Sequence, residues 1–357
     1  MYDIAIIGLG PAGAMLATLL NSHLKIIAID KKSSDAQEEG FHKPCGGLLA
    51  PDAQKVLSRF SITLPKDILV DPQIFAVRTI DTKTGLVRNY QRFYLNIDRH
   101  KFDLWLKSRI KPNVKCFHNA RCESIERLED GTYCITYIEN NEKNTFLAKY
   151  IVGADGANSL VRRTIYNNKK IRSYASIQQW FKESNSSPFY SCIFDADITD
   201  CYSWSISKDG FFIFGGAFPL KNPRQSYDKL IEKLQKHGFV FGEALKTEAC
   251  MVLRPSKFND FSCGKNNAFL IGEAAGFISP SSLEGISYAI RSAYKLSVVL
   301  NGKGKNKNAL YRKSTLHIRL DLFSKIMKLP FMYNPFLRKV IMKCGINSLE
   351  MLDGEEL

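Results

Sequence analysis

The feature that most constrains this chain is a glycine-rich turn near its start, Gly8-Leu9-Gly10-Pro11-Ala12-Gly13. An apolar run at residues 2–7 precedes the turn and a helical pattern at residues 14–20 follows it, which predicts a strand, a tight turn and a helix. In such a turn the first glycine lets the chain leave the strand, the second lets backbone approach a pyrophosphate, and the third lets helix and strand pack closely. The helix N-terminus then faces the phosphate charge.

A second predicted strand, at residues 25–29, ends at Asp30. An acid at this position is placed to bond a ribose hydroxyl, so the segment reads as a complete dinucleotide-binding βαβ unit. The residues predicted to contact the cofactor are Gly8, Gly10, Pro11, Ala12, Gly13, Asp30 and Lys31. On their own they leave NAD and FAD open, and a glycine-rich turn that binds nothing is the alternative.

The rest of the chain alternates between helical and strand patterns. Up to about residue 170 we predict helices at 51–60 and 101–110 and strands at 75–79, 89–94, 133–137 and 150–152, with a linker at 31–47. Between residues 174 and 253, aromatic-rich strands at 189–194, 201–207 and 211–218, with one helix near 226–236, predict a second, antiparallel sheet. A strand at 268–271, a glycine-rich turn, a helix at 285–300 and basic helical segments follow.

Composition narrows the class of protein. A hydrophobic fraction of 45% with 24% charged residues is that of a globular chain with a large core, not of a disordered one. No apolar run reaches the length of a membrane span, and the apolar start lacks a basic region and a cleavage site, so we expect a cytoplasmic protein. The nine cysteines include no CxxC pair and the six histidines no HxxxH pair, so no metal site is predicted.

Two later segments carry a family resemblance, Val152-Gly-Ala-Asp155-Gly156-Ala-Asn158-Ser159 and Phe269-Leu-Ile-Gly272-Glu273-Ala-Ala-Gly276. They resemble motifs of the glutathione-reductase-type FAD fold that aromatic hydroxylases and geranylgeranyl reductases share, with Glu273 where those proteins have Asp. The resemblance favours FAD as the cofactor. It implies cofactor contacts from Asp155, Gly156, Gly272, Glu273, Gly276, Gly285 and Ile286, with the helix near Gly285 directing its positive end at the flavin.

Arg99 resembles the arginine of these proteins that lies over the cofactor. Its alternative role is that of a plain ion-pair partner in solvent.

Two further motifs, Lys43-Pro44-Cys45-Gly46-Gly47 and Tyr202-Ser203-Trp204, are similar to the geranylgeranyl reductase family, and above all to its CbrA-type branch. The similarity runs over nearly the whole chain, although the usual Tyr-x-Trp-x-Phe-Pro signature continues here as Ile206-Ser207. It implies Cys45, Tyr202 and Trp204 as catalytic residues and places Gly46 and Gly47 at the cofactor. The alternatives are an inert buried thiol and aromatic side chains that only fill the core.

The two-residue period of a strand adds a prediction about the substrate surface. Tyr202, Trp204 and Ile206 share one face of their strand, and Phe212, Phe214, Gly216 and Phe218 share one face of the next. Such a surface would accept a long apolar substrate, and the alternative is that these aromatic residues are core.

The fold class predicted from these observations is α/β, a glutathione-reductase-type, aromatic-hydroxylase-like FAD-binding Rossmann domain with an antiparallel-sheet substrate domain and a helical C-terminus. Residues 1–70, 95–170 and 264–300 are predicted to form the FAD-binding domain, which is discontinuous. Residues 71–94 and 171–263 form the substrate sheet, and residues 301–357 form the basic helical region.

The formal charge of +15 predicts attraction to anionic partners, which include nucleic acid, phosphorylated substrates and a membrane surface. Between positions 291 and 343 the chain has one acidic residue, Asp321, and thirteen basic residues. The basic residues are Arg291, Lys295, Lys303, Lys305, Lys307, Arg312, Lys313, Arg319, Lys325, Lys328, Arg338, Lys339 and Lys343. Interleaved apolar residues make an amphipathic surface for anionic lipid, peripheral on the inner membrane face, with a solvated face over the core as the alternative. No nucleic-acid recognition motif accompanies the charge.

Three functions follow. The first is reduction of carbon–carbon double bonds of a polyprenyl or other isoprenoid lipid by hydride from reduced FAD. The second is a class A-type flavoprotein monooxygenase, an aromatic hydroxylase, and the third is a non-catalytic, membrane-associated flavin-binding redox sensor. Because no second dinucleotide fingerprint is present, either NAD(P)H or a ferredoxin-like protein is the electron donor.

Overall fold

The computed structural model describes residues 1–34, 43–182, 190–345 and 348–349. The predicted linker, the predicted strand from Phe189 and the end of the predicted C-terminal region lie partly outside these ranges. The strands are β1 (Tyr2–Ile7), β2 (Ile26–Ile29), β3 (Leu48–Leu49), β4 (Ile74–Asp81), β5 (Leu86–Asn96), β6 (Val114–Phe117), β7 (Arg121–Arg127), β8 (Tyr133–Glu139), β9 (Glu142–Gly153), β10 (Ser173–Lys182), β11 (Tyr190–Phe194), β12 (Ser203–Lys208), β13 (Phe211–Phe218), β14 (Ala244–Leu253), β15 (Ala268–Leu270) and β16 (Ser348–Leu349).

The α-helices lie mainly where the sequence predicts them, with shifted ends. They are α1 (Pro11–Leu19), α2 (Pro51–Arg59), α3 (Arg99–Ser108), α4 (Leu160–Ile165), α5 (Pro223–Gln235), α6 (Ile286–Asn301), α7 (Lys307–Ser314), α8 (Leu316–Met327), α9 (Leu329–Tyr333) and α10 (Pro335–Cys344). Helix α3 begins two residues before its predicted start because the Asp98 carboxylate accepts the amides of His100 and Lys101 at 2.8 and 3.0 Å, as an N-cap does.

The first sheet carries the predicted βαβ unit. Its order is β6-β2-β1-β9-β8-β7, with β15 also on β9. Strands β6, β2, β1, β9 and β15 pair in parallel, while β9, β8 and β7 form antiparallel pairs. All four residues of β2 are buried, as expected for a strand covered on both faces. The turn, helix and second strand at residues 8–29 are confirmed.

The second sheet contains nine strands in the described part of the chain, in the order β14-β10-β13-β12-β11-β4-β5-β16, with β3 also on β5. Neighbouring strands are antiparallel, as predicted, except that β11 and β4 are parallel. Strands β4 and β11 lie far apart in the chain, so no hairpin requires them to run in opposite directions. The domain boundaries stay a prediction.

The two faces of the second sheet differ in what covers them. Trp204 lies opposite Gly215 and Ile206 opposite Ile213, so these residues share one face. Phe212, Phe214 and Phe218 point to the other face, where they pack in one buried cluster with Leu230 and Leu234 of α5. The predicted substrate surface is therefore wrong for the phenylalanines of β13, because α5 covers them and makes them core.

The C-terminal helices join both sheets. Ile318 and Leu322 of α8 are fully buried in the core around the first sheet. On α10, Arg338 forms a buried ion pair with Asp81 of β4, with 2.8 Å between Nε and Oδ2. No helix among the described residues is long and apolar enough to span a bilayer.

Candidate functional site

Three glycine-containing segments meet at the C-terminal end of β1. A methyl group on Gly8, which has φ +96°, would lie 2.6 Å from the carbonyl oxygen of Ala154. A methyl group on Gly13 would lie 1.9 Å from the Gly8 oxygen, and one on Gly272 would lie 3.0 Å from Cβ of Ala12. The fold therefore brings together the first glycine-rich turn and the two segments that carry the FAD resemblance.

The N-terminus of α1 is open toward this meeting point. Its N-cap residue is Gly10, no side chain caps the first turn, and Pro11 occupies the first helical turn. A methyl group on Gly10 would meet no described atom within 4 Å. The amides of the first turn, with no side-chain acceptor, are suited to bind phosphate oxygens. The geometry fits a pyrophosphate, as the sequence predicts.

Asp155 gives a second test of the cofactor fit. Its Oδ2 accepts the Leu160 amide at 2.7 Å, while its buried Oδ1 has no hydrogen-bond partner among the described residues. Burial raises the pKa of this carboxyl, against the amides that lower it. The neighbouring Gly156, with φ +73°, would have open space around a methyl group. A buried oxygen without a partner is costly, so the site fits a ligand that offers a hydroxyl donor.

Asp30 directly follows β2, as predicted, but it already has a protein partner. The Lys107 ammonium lies 2.7 Å from its Oδ2, and both side chains are buried. Lys31, beyond it, is exposed. Lys107 comes from α3 and was not predicted, because no local pattern links residues so far apart in the chain. The predicted ribose contact of Asp30 stays a prediction.

Glu273 connects the glycine-rich turn to the loop that carries Cys45. Its carboxylate forms an ion pair with Lys43 and accepts the Leu253 amide at 3.0 Å. Burial lowers the pKa of Lys43, but the charge of Glu273, its hydrogen bond and the effect of Cys250 together outweigh burial, so the pKa is raised. The longer acid at this position therefore links two segments of the chain, and its predicted cofactor contact stays a prediction.

The start of α6 differs in one respect from the expectation. Gly285 is the N-cap residue and Ile286 the first residue, as predicted. Before them, however, Glu284 accepts the Ser287 amide and hydroxyl at 2.9 and 2.8 Å, and burial raises the pKa of its carboxyl. The positive end of α6 thus meets an acid of the chain itself. Gly276, with φ +79°, ends the preceding turn.

Arg99 is one half of a largely buried ion pair. Its Nε lies 2.8 Å from Oδ1 of Asp103, one helical turn along α3. It also interacts with the Cys45 side chain. Burial lowers the pKa of Arg99, but the effects of Asp103 and Cys45 are together larger, so the pKa is raised above its usual value. Arg99 therefore forms the ion pair of the alternative, although the pair is shielded from solvent, and its predicted place over the cofactor stays a prediction.

The Cys45 loop packs against the second sheet. A methyl group on Gly46 would lie 3.7 Å from the Trp204 ring and 3.8 Å from the Tyr190 ring. Gly47, with φ +62°, donates its amide to the Cys45 sulfur at 3.4 Å. The structure therefore brings the predicted Cys45 and Trp204 regions together.

Lys208 holds this loop in place and was not predicted. Its buried ammonium donates to the carbonyl oxygens of Ile97 and Gly47 at 2.7 and 3.5 Å, and to Oδ1 of Asn96. Burial lowers its pKa to about 8, against the opposing effect of Cys45. The sequence feature that could have pointed to Lys208 is its position on the same strand as Trp204, four residues later.

Four aromatic residues lie at or next to the contact of this loop with the second sheet, and we call them the aromatic wall: Tyr94, Tyr190, Tyr202 and Trp204. Ring centroids of Tyr202 and Trp204 are 5.9 Å apart, and those of Tyr94 and Tyr190 are 6.2 Å apart. A methyl group on Gly215 would lie 2.7 Å from the Trp204 ring, so this glycine makes room for the indole. Burial raises the pKa of Tyr190 and Tyr202 well above the usual value, and both phenols keep their protons at neutral pH.

The described residues contain no cluster of His, Cys, Asp or Glu arranged to hold a metal ion. Each cysteine that the structure describes is a free thiol.

Comparison with known proteins places the chain in a family. Residues 97–238 match the family model of an FAD binding domain. The chain is 54% identical over 351 residues to Protein CbrA of Escherichia coli O9:H4 (strain HS), covering 98% of this chain and 95% of that protein. The chain belongs to the CbrA family. Another CbrA protein, from Shigella sonnei (strain Ss046), is 53% identical, and the match covers 98% of this chain and 99% of that protein.

Solved structures confirm the α/β FAD-binding fold. A geranylgeranyl bacteriochlorophyll reductase-like protein from Thermoplasma acidophilum matches with a TM-score of 0.78 and 19% identity over 99% of this chain and 94% of that one. PqsL, a probable FAD-dependent monooxygenase from Pseudomonas aeruginosa, matches with a TM-score of 0.70 and 15% identity, over 97% and 99%. The CbrA-family chain has FAD as its cofactor. The fold neighbours include both reductase-like and monooxygenase proteins, so the fold leaves the reaction open.

Proposed function

We propose that this chain reduces a carbon–carbon double bond of a polyprenyl or other isoprenoid lipid. The observation that carries the proposal is the contact between the Cys45 loop and the aromatic wall, with Gly46 packed on Trp204 and Tyr190. A thiol, a buried cation and an apolar wall therefore lie together, and the ion pair of Lys43 with Glu273 joins the same loop to the glycine-rich turn predicted to bind the flavin. These are the components that addition of hydrogen to an apolar alkene requires.

When bound, reduced FAD supplies a hydride, and a proton from the protein or from water completes the addition of two hydrogens across the double bond. In this chain Arg99 and the Gly47 amide fix the position of the Cys45 sulfur. Cys45 is the proton donor of the proposal. Lys208 fixes the backbone on which Cys45 is carried, and so is a positioning residue.

The aromatic wall supports an apolar substrate. Trp204 directs its only polar atom, Nε1, to Gln178 at 3.3 Å, and Tyr202 donates its hydroxyl to the Ser282 carbonyl at 2.7 Å. Trp204 is buried in one cluster with Tyr190 and Ile206, and Tyr202 packs against that cluster. Because both polar groups are bonded within the protein, a substrate that enters beside these rings would meet apolar atoms. A wall of this kind also excludes water from the reacting atoms.

Monooxygenation is the second candidate, and the PqsL fold match favours it. Its substrate would be aromatic and its second substrate oxygen. The two functions differ in their need for oxygen, which makes them separable by experiment.

The deciding experiment mixes chemically reduced holoprotein with polyprenyl lipids of several chain lengths in the absence of oxygen. The expected result is reoxidation of the flavin absorbance together with a gain of two hydrogens in the lipid mass. Unchanged lipid at every chain length, with flavin that stays reduced, would overturn the proposal. Incorporation of labelled oxygen into an aromatic product would establish the second candidate instead.

A further inference from the structure

Helix α8 carries an apolar stripe on its outer surface. Leu316, Leu320, Phe323 and Met327 are spaced four, three and four residues apart, so they lie on one face of the helix. All four are exposed, Leu320 to 53% and Met327 to 62%. Phe331 on α9 and Phe336 and Val340 on α10 are exposed as well. We call these seven residues the apolar stripe.

The stripe is not part of the core that these helices cover. The opposite face of α8 already supplies that core, because Ile318 and Leu322 are completely buried. Large exposed apolar residues in consecutive helices indicate a surface that meets another apolar phase or partner.

The surroundings of the stripe are basic. Residues 303–344 contain eleven Lys and Arg residues and one acid, Asp321. Among the described residues of this stretch, Arg338 is the only basic side chain paired with a described carboxylate. Lys313, Lys328, Lys339 and Lys343 are exposed. The partner is therefore anionic as well as apolar.

A basic recess lies at one end of the stripe. It has a volume of about 540 Å³, and its lining includes Arg312, Lys313 and Arg319 together with Leu316 of the stripe. Such a recess suits a phosphate group whose attached chains continue along an apolar face.

We propose that the outer face of α8, α9 and α10 docks on an anionic lipid bilayer. The apolar stripe enters the boundary between headgroups and acyl chains, and the flanking lysines and arginines lie at the lipid phosphates. A second copy of the chain is the poorer occupant, since it would bring two strongly basic faces together.

The docking face is continuous with the candidate site. Tyr333, the last residue of α9, donates its hydroxyl to the Ser281 carbonyl at 2.7 Å, and its ring lies 5.5 Å from that of Phe194. The next carbonyl, of Ser282, accepts the hydroxyl of Tyr202. Resting on the proposed function, this contact means that a docked chain would have its aromatic wall close to the bilayer.

The test measures co-sedimentation of the FAD-loaded full chain with vesicles of phosphatidylcholine alone or mixed with phosphatidylglycerol. Saturated acyl chains are used, so binding is measured even if the chain reduces no isoprenoid. The holoprotein is expected to bind the mixed vesicles at least about tenfold more tightly than the neutral ones, and less tightly in high salt.

Two variant pairs separate the apolar and basic contributions. L320Q/M327Q should weaken binding by about tenfold or more, because both changes remove apolar area from the stripe. The matched control is L220Q/L245Q, whose side chains are exposed to 53% and 59% elsewhere and which should bind as the parent does. K313E/K328E should lose the preference for anionic vesicles, whereas K229E/K236E on or beside α5 should keep it.

Absence of binding to mixed vesicles, or equal loss in the control pairs, would overturn the proposal. So would a dimer that dissociates in L320Q/M327Q without any vesicle binding, since the face would then join two copies. Flavin absorbance and thermal unfolding of every variant verify that the fold is retained.

Discussion

Lys208 shows how one side chain can set the position of a functional loop. Its ammonium bonds to three oxygens around Gly47, Asn96 and Ile97. Burial lowers the pKa of Lys208 from 10.5 to about 8, and it outweighs the opposing effects of Cys45, Asp98 and Asp209. The loop of Cys45 therefore depends on a lysine that titrates near neutral pH.

This predicts a pH-dependent difference between the parent and Lys208→Met. The folded chain releases the Lys208 proton near pH 8 while the unfolded chain keeps it until about pH 10.5, so the parent gains stability as pH rises between these values. Relative to Lys208→Met, the gain should reach about 3 kcal/mol at most. Urea unfolding of both proteins at several pH values measures it, and a difference independent of pH would contradict the assignment.

Cys45 is tested by removing its sulfur alone. Cys45→Ser should bind FAD as the parent does but reduce substrate at least about 100-fold more slowly, because proton donation by a positioned group contributes on that scale. Cys344→Ser, which changes the exposed thiol on α10, is the matched control and should keep full activity. Equal rates in Cys45→Ser and the parent would remove the catalytic role.

At the scale of elements, the turn between β1 and α1 separates a folding role from a binding role. Gly13 is closed in by the Gly8 carbonyl, whereas Gly10 faces open space. Packing inside the protein therefore requires a glycine at position 13, whereas it would allow a side chain at position 10.

Gly13→Ala should destabilise the protein by about 2 kcal/mol or more, since its methyl group has no room. Gly10→Ala should change stability without cofactor by no more than about 1 kcal/mol. It should nevertheless weaken FAD binding at least about tenfold, because it blocks backbone approach to the pyrophosphate. Thermal unfolding of the cofactor-free proteins and flavin fluorescence titration measure the two effects. Similar behaviour of both variants would contradict this division.

The elements most accurately predicted from sequence are strands made of an unbroken or nearly unbroken run of apolar residues, such as β1, β2 and β13. Strand β7 was missed because only Ile125 of its seven residues is buried. Its sequence therefore does not alternate between apolar and polar residues as a half-buried strand does. Long-range pairs were also missed. Glu273 with Lys43 and Asp30 with Lys107 join residues that no local pattern connects. Gly8, Gly10 and Gly13 could be predicted because turn geometry restricts residue type locally, and Asp155 because its segment resembles an FAD motif.

At the scale of the whole molecule, one buried ion pair fastens the C-terminal helices to the second sheet. Arg338 of α10 and Asp81 of β4 have almost no exposure. Removing one partner leaves the other charge buried and unpaired.

Arg338→Met should therefore lower the free energy of unfolding by about 3–5 kcal/mol. It should also increase protease cleavage within α8–α10 before cleavage elsewhere. The double variant Asp81→Asn with Arg338→Met serves as the control and should recover part of the loss, because no buried charge is left alone. If the single and double variants were equally stable, the ion pair would not be what fastens these helices.

The order of the strands has a consequence for how the molecule can be divided. Along the chain, β1 and β2 belong to the first sheet, β3 to β5 to the second, β6 to β9 to the first, β10 to β14 to the second, β15 to the first and β16 to the second. The backbone thus passes between the sheets five times, and no single cut yields a fragment with one complete sheet. The aromatic wall and the glycine-rich turns therefore cannot be separated onto two fragments that each contain a whole sheet.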